Sequence, residues 1–162
     1  MSYSHVLPIP PDRWAPPSGP LRLDGLVLQP KPELHITLVG NALGRELHRV
    51  FGDRAGALAE SAVAALDWEW VRTGERLLLR RTTGKPGEQV TAHSLIERIR
   101  LPAMARLHRE MGRLLGRRLP VPPPHVTLYV AGREEGIGIS SPARLRAFTV
   151  RRVPDPLPGD RP

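Results

Sequence analysis

The sequence predicts an α+β fold made of two related halves. Short apolar, β-branched runs at 34–39 and 126–130 are typical of buried or half-buried strands. Two stretches, 42–66 and 102–116, have helical composition or spacing. The pattern His-apolar-Thr-Leu lies within the first run, at His35, and begins one residue before the second run, at His125. The repeated pattern indicates that the chain is a pair of related lobes.

The length and the proline distribution define the expected organisation. A chain of 162 residues corresponds to one compact domain, and no short-period repeat divides it. We expect residues 1–152 to form this domain, with a lobe boundary near 83–90. Proline removes a backbone donor and keeps its predecessor out of helical geometry. The proline clusters therefore predict a loop at 8–20 and a tail at 153–162.

The first apolar run, 34–39, predicts a strand that leads directly into helical sequence. Gly52 and Gly56 divide the helical segment 42–66 into a short helix and a longer one that begins near Arg54. Two helices are therefore expected after the first strand.

The next runs predict β structure. Residues 68–72 and 76–82, joined by Thr73-Gly74-Glu75, have the pattern of a β-hairpin. Residues 89–99 allow a further strand because Val and Ile recur in them. The middle of the chain is therefore expected to contribute strands to a sheet.

Pro102 opens a helix that is predicted to end near Gly116. Its apolar residues recur at helical spacing and are expected to be buried: Leu107, Met111, Leu114 and Leu115. Arginines form a second stripe on it: Arg106, Arg109, Arg113 and Arg117. Such a stripe is either the solvated face of an amphipathic helix or a contact for a nucleic-acid backbone. After the strand at 126–130, Ser141-Pro142 predicts a helix start and 148–150 a short strand.

The composition favours an anionic partner and excludes several chemistries. The formal net charge is +8, and all but two of the 24 basic residues are Arg. Arginine suits phosphate oxygens, although a GC-rich genome would give the same excess. The absence of cysteine excludes disulfides, thiolate catalysis and Cys-ligated metals. No apolar run approaches the roughly 20 residues of a membrane span, and the N-terminus lacks a secretory pattern, so we expect a cytoplasmic protein.

The two His-x-Thr patterns are the strongest functional signal. In a strand, side chains at i and i+2 project from one face. His35 and Thr37 are therefore expected to share a face, and so are His125, Thr127 and Tyr129. If the strands lie close together, two imidazoles and two hydroxyls converge on one groove.

Such a set suits phosphodiester chemistry beside a ribose hydroxyl. One imidazole takes the proton of the attacking oxygen and the other protonates the departing oxygen, since an unperturbed imidazole has a pKa of about 6.5. Threonine hydroxyls donate to the non-bridging phosphate oxygens. The scheme needs no metal and no cofactor, and the metal-site pattern His-Glu-x-x-His is absent from the sequence.

These paired strands resemble those of the 2H phosphoesterase superfamily, which includes 2′-5′ RNA ligase-like proteins and cyclic phosphodiesterases. The resemblance covers the layout of about 21–150. It implies a bilobal fold in which antiparallel sheets with pseudo-two-fold symmetry line a central cleft, with helices outside. It also implies that His35 and His125 are the acid and base, in either order, and that Thr37 and Thr127 bind the phosphate.

The resemblance further implies hydrolysis, or reversible ligation, of 2′,3′-cyclic or 2′-5′ phosphodiester bonds in RNA ends or small nucleotides. The alternative is a non-catalytic RNA- or nucleotide-binding module of the same fold. Tyr129 either stacks on a base or ribose or caps the edge of the core. Arg72, Arg80 and Arg81 are candidates for reaching the phosphate. We expect a monomer that does not bind membranes.

Overall fold

The computed structural model describes residues 3–154, which form an α+β fold. The strands are β1 (His5–Ile9), β2 (Leu21–Leu23), β3 (Leu26–Pro30), β4 (Leu34–Val39), β5 (Val71–Thr83), β6 (Val90–Arg100), β7 (His125–Ala131) and β8 (Thr149–Val153). The helices are α1 (Asn41–Phe51), α2 (Ala55–Ala64), α3 (Ala103–Leu115) and α4 (Pro142–Phe148), with a 3-10 turn at Gly52–Arg54 between α1 and α2. The predicted α+β class is confirmed.

The strands of the described chain form one antiparallel sheet of eight strands. Its main path runs in the order β1-β4-β7-β6-β5-β8, and β3 pairs with β7 and with β2. Strands β3 and β4 lie along the same edge of β7, where Gln29 is opposite Val130 and Ile36 is opposite Val126. The two runs with the His-x-Thr pattern are therefore neighbours at the centre of the sheet.

Apolar clusters cover both faces of the sheet. The larger cluster joins one face to the first three helices and includes Leu78, Leu95 and Leu107. The smaller one joins the other face to the chain after β7 and includes Leu77, Ile96 and Ile137. Neighbours such as Leu77 and Leu78 belong to different clusters because side chains alternate along a strand. We call the face with the smaller cluster the open face, since the helices α1 to α3 do not cover it.

The predicted hairpin at 68–72 and 76–82 is wrong. Apart from 68–70, both expected arms belong to the single long strand β5. This strand pairs with β6 from Val71, which is opposite Arg100, to Thr83, which is opposite Val90. Residues 73–75 are an irregularity inside β5, and the predicted lobe boundary at 83–90 is the turn between β5 and β6. Pairing with β6 on both sides of the irregularity stabilises β5 as one element.

The proline-rich beginning of the chain contains strands that the sequence did not predict. Pro8 lies in β1, which is the last strand on one side of the sheet, and an edge strand tolerates a residue without an N–H. Most of the predicted loop at 8–20 is irregular, as expected. Val153 ends β8 and is buried, so it does not belong to the predicted tail at 153–162. Residues 155–162 lie outside the described residues.

The helical predictions are close to the structure. Helix α3 follows Pro102 and ends at Gly116, whose φ of 73° provides the left-handed cap. Leu107 and Met111 are buried as expected, whereas Leu114 and Leu115 are only partly buried. No helix among the described residues combines the length and apolar character that crossing a membrane requires.

Candidate active site

The first His-x-Thr strand, β4, presents its polar side chains on the open face. Ile36 and Leu38 are buried, with 0% and 2% of their surface exposed. His35 and Thr37 point to the other face and are partly exposed. The apolar pair therefore anchors the strand in the core and leaves the imidazole and the hydroxyl accessible.

The second His-x-Thr strand, β7, has the same arrangement at its start. Val126 and Leu128 belong to the larger apolar cluster, and His125 and Thr127 are partly exposed. Thr127 lies opposite Ile96 of β6, which belongs to the smaller cluster on the open face. Both histidines and both threonines therefore lie on the same face of the sheet.

The pairing of β4 with β7 brings these four side chains together. The strands are antiparallel, and Ile36 lies opposite Val126. This register puts the histidine of each strand across from the threonine of the other. His35 and His125 then lie on a diagonal of the sheet, where Cα atoms are roughly 7–8 Å apart. A charge on His35 lowers the pKa of His125, in keeping with this proximity.

The proline run before β7 orients the second imidazole. The His125 Nδ1 atom lies 2.9 Å from the carbonyl oxygen of Pro123. A carbonyl only accepts, so Nδ1–H is the donor and Nε2 keeps its lone pair in the neutral ring. The Pro124 carbonyl in turn accepts a hydrogen bond of 3.1 Å from the Ile99 N–H. The run therefore fixes both the ring and the start of its strand.

The surroundings of His125 favour its neutral form. Burial lowers the pKa of the imidazole because the charged ring loses water. The hydrogen bond to Pro123 acts in the opposite direction, and the charges of His35 and Arg98 lower the pKa further. A neutral imidazole with a free Nε2 is the form that accepts a proton.

His35 has a different environment. Burial lowers its pKa first, the charge of Lys31 lowers it further, and the carboxylate of Glu33 opposes them. Its ring forms no hydrogen bond within residues 3–154. The orientation of His35 is therefore set less firmly than that of His125.

The loop that follows β7 folds back over the second threonine. A Cβ added to Gly136 would lie 2.7 Å from Thr127 Oγ1, which is closer than real Cβ contacts. The loop is tied down beside this point, since the Ile137 N–H donates to Ser94 Oγ at 3.2 Å and Ile137 is 2% exposed. The glycine at 136 is therefore what lets the loop backbone approach the hydroxyl.

Tyr129 does not share a face with His125, contrary to the sequence prediction. The register of β6 against β7 shifts so that Leu95 is opposite Tyr129 and Ile96 is opposite Thr127. Neighbouring residues of β6 face opposite sides, so Tyr129 and Thr127 also do. The tyrosine packs in the larger core cluster and is 5% exposed. It is therefore not placed to stack on a ligand beside His125.

The arginines that sequence reasoning considered also lie elsewhere. Arg72 donates to both carboxylate oxygens of Glu97, at 2.8 and 2.9 Å. Arg81 stacks over the ring of Phe148 at 5.1 Å. Arg80 alternates with Leu78, whose side chain belongs to the larger core cluster, so it projects from the covered side of the sheet. None of the three lies beside His35 or His125.

Two cations that the sequence did not single out influence the histidines instead. Arg98 is directly opposite His125 in the β6–β7 pairing, and Lys31 acts on His35. The composition shows that arginine is abundant, but it does not show which arginine lies opposite which residue of a neighbouring strand. Only the pairing of strands that are distant in sequence identifies Arg98.

The basic stripe on α3 lies behind the sheet. The buried side of α3 packs in the larger cluster, so the stripe faces away from the histidines. Two of its members pair with carboxylates, Arg113 with Glu110 and Arg117 with Glu46. The stripe therefore does not line the candidate site.

The candidate site lies on the face of the sheet that α1 to α3 do not cover. Two cavities of about 420 and 240 Å³ in the described chain are lined by other residues. Within residues 3–154, no group of three or more His, Asp or Glu side chains is arranged to hold a metal ion.

Comparisons with known proteins give no match. No protein-family model matches the chain, and no curated protein or solved structure is significantly similar to it. Function is therefore inferred from the side chains themselves.

Proposed function

We propose that this protein is a metal-independent 2H phosphoesterase that hydrolyses, or reversibly ligates, 2′,3′-cyclic or 2′-5′ phosphodiester bonds of RNA ends or small nucleotides. The observation that carries the proposal is the pairing of Ile36 with Val126. It puts two imidazoles and two hydroxyls on one face of the sheet, and an acid and a base beside one phosphate are the groups that two-sided proton transfer needs.

We assign the base to His125 for hydrolysis of a cyclic phosphate. Its Nδ1–H is bound to the Pro123 carbonyl, so Nε2 is the atom that takes a proton from the attacking water. The water oxygen forms a bond to phosphorus and one P–O bond to ribose breaks. His35, protonated when the anionic substrate is bound, gives its proton to the departing ribose oxygen. In the reverse reaction the two rings exchange roles.

The threonines and nearby cations complete the scheme. Thr37 and Thr127 lie across from the histidines and donate to the non-bridging oxygens as charge develops there. Lys31 and Arg98 add positive potential beside His35 and His125. An anionic phosphate between the rings raises the pKa of both, which supplies the protonated acid.

The two-lobed 2H architecture is part of the same proposal. On the main path of the sheet, the β1–β4 pair meets the strands β7, β6, β5 and β8 at the junction between β4 and β7. The pairing of β4 with β7 is confined to Ile36 and Val126. One His-x-Thr strand comes from each side of this junction, as the resemblance implies. The expected monomeric state and cytoplasmic location stay predictions.

A substrate panel tests the proposal. Purified protein is incubated with a 2′,3′-cyclic mononucleotide, a 2′-5′-linked dinucleotide and RNA that ends in a cyclic phosphate, each with and without EDTA. We expect turnover of at least one of them, unchanged by the chelator. Binding of these nucleotides without turnover would instead support the non-catalytic module, and turnover abolished by EDTA would contradict the metal-independent scheme.

A further inference from the structure

Arg98 is the arginine best placed to contact a ligand at the candidate site. It lies directly opposite His125 in the antiparallel β6–β7 pair, so both side chains project from the open face with Cβ atoms about 4.5–5.5 Å apart. Its side chain is 39% exposed. A phosphate-bearing molecule beside His125 therefore meets this guanidinium.

The donors of Arg98 are not committed within the protein. Its ion pair with Glu75 has an N–O distance of 3.7 Å, which is too long for a hydrogen bond. Other arginines of the sheet are bound firmly, since Arg72 and Arg76 donate to Glu97 at 2.8 to 3.0 Å. A partly exposed pair at 3.7 Å contributes little to stability, so a phosphate can replace the carboxylate.

The irregularity in β5 aims Glu75 at Arg98. Thr73 Oγ1 donates to the Arg98 carbonyl at 2.6 Å and accepts from the Glu75 N–H at 3.1 Å. Gly74 has a φ of 74°, which this departure from the strand requires. Such irregularities re-aim side chains next to functional sites. The loose pair is therefore a built feature of the sheet.

We propose that Arg98 binds a second phosphate of the substrate, one nucleotide away from the reacting phosphorus, and that Glu75 holds the guanidinium in position when no such phosphate is bound. The inference rests on the proposed phosphoesterase function and narrows it. The planar guanidinium fork matches two phosphate oxygens. The preferred substrates are then oligonucleotides with at least two phosphates rather than cyclic mononucleotides.

The test compares two substrates that differ by one nucleotide, which adds one adenosine and one phosphodiester. These are adenosine 2′,3′-cyclic phosphate and the dinucleotide ApA with a 2′,3′-cyclic end. The native protein is expected to prefer the dinucleotide in kcat/KM. Arg98→Gln reduces this preference about tenfold, mainly through KM. Loss of the charge beside His125 affects both substrates alike, so the ratio of the two kcat/KM values isolates contacts to the additional nucleotide, in which the phosphodiester is the only charged group.

Two further variants make the test specific. Glu75→Gln removes the competing carboxylate and is expected to lower KM for the dinucleotide. Arg109→Gln, an equal charge change on the far side of the sheet, is expected to leave the ratio unchanged. The proposal is overturned if Arg98→Gln leaves the ratio as it was, or if Arg109→Gln changes it equally.

A binding measurement separates this proposal from the proposed function. Calorimetric titration with the 3′-5′-linked dinucleotide pApA, which has two phosphates, needs no turnover. If the protein cleaves neither these cyclic substrates nor any other substrate of the panel, the phosphoesterase function fails, while weaker binding of pApA to Arg98→Gln still supports the second-phosphate site. Equal binding of pApA to the native protein and to Arg98→Gln contradicts the site.

Discussion

The two His-x-Thr strands carry the same residues but hold them differently. In β7, a backbone carbonyl at Pro123 fixes His125, and the Gly136 backbone covers Thr127. In β4, the ring of His35 has no such hydrogen bond among the described residues. The shared motif places the same groups on both strands, and in the proposed mechanism the oriented ring of His125 is the base and the less constrained ring of His35 is the acid.

The largest expected effect comes from removing either imidazole. His35→Ala and His125→Ala are each expected to reduce kcat by about 10² to 10⁴, the usual contribution of a general acid or base, while the fold is retained because both side chains are partly exposed. Steady-state kinetics and circular dichroism on the purified variants measure both effects. Full activity in either variant would contradict the two-histidine mechanism.

The pH dependence of the same variants separates the two roles. Burial lowers the pKa of His125 below its ordinary value of 6.5, so the base stays neutral and competent to a lower pH than a free imidazole. The acidic limb of kcat/KM in the native protein is therefore expected below pH 6.5. The pH profile of the residual kcat/KM is expected to lack this acidic limb in His125→Ala and to keep it in His35→Ala. The opposite result would exchange the assignments.

A smaller effect is expected from filling the space above Thr127. In Gly136→Ala the new methyl group would lie 2.7 Å from Thr127 Oγ1, so the hydroxyl or the loop must move. We expect kcat to fall about 10²-fold, the lower end of the range for loss of a positioned hydrogen-bond donor. Thr127→Ala is expected to lower kcat by a similar amount. Adding Gly136→Ala to Thr127→Ala is expected to lower kcat little further, because both substitutions disturb the same hydroxyl.

Gly138 provides the matched control in the same loop. A Cβ at Gly138 meets nothing within 4 Å, so Gly138→Ala is expected to leave kcat and KM unchanged. Equal losses in both glycine variants would show that the activity depends on loop flexibility rather than on the contact with Thr127. No loss in Gly136→Ala would show that the position of the Thr127 hydroxyl is not critical.

Local sequence patterns predicted the parts of the site that depend on neighbouring residues. Alternation within a strand was enough to place His35 with Thr37 and His125 with Thr127, because Ile36 and Val126 are buried between them. The register between β4 and β7 was not accessible in this way, since it depends on residues far apart in the chain.

The wrong predictions share one cause, which is long-range strand pairing. A shift in the β6–β7 register turned Tyr129 into the core, against simple alternation. Pairing with β6 extended β5 through Gly74, which reads locally as a turn. The same pairing placed Arg98 beside His125, and no local pattern distinguishes this arginine from the others.

The smallest expected effect concerns the charge beside the less constrained histidine. Lys31 lowers the pKa of His35, so Lys31→Gln is expected to raise it, and proton NMR titration of the imidazoles measures this shift. His108 is an internal control: it is 2% exposed, its pKa is lowered by burial, and its Nδ1 atom is bound to the Met104 carbonyl. Lys31 does not act on this ring, so its titration should not change. An unchanged pKa of His35 would show that bulk water screens Lys31, and the difference between the two strands would then rest on the Pro123 hydrogen bond alone.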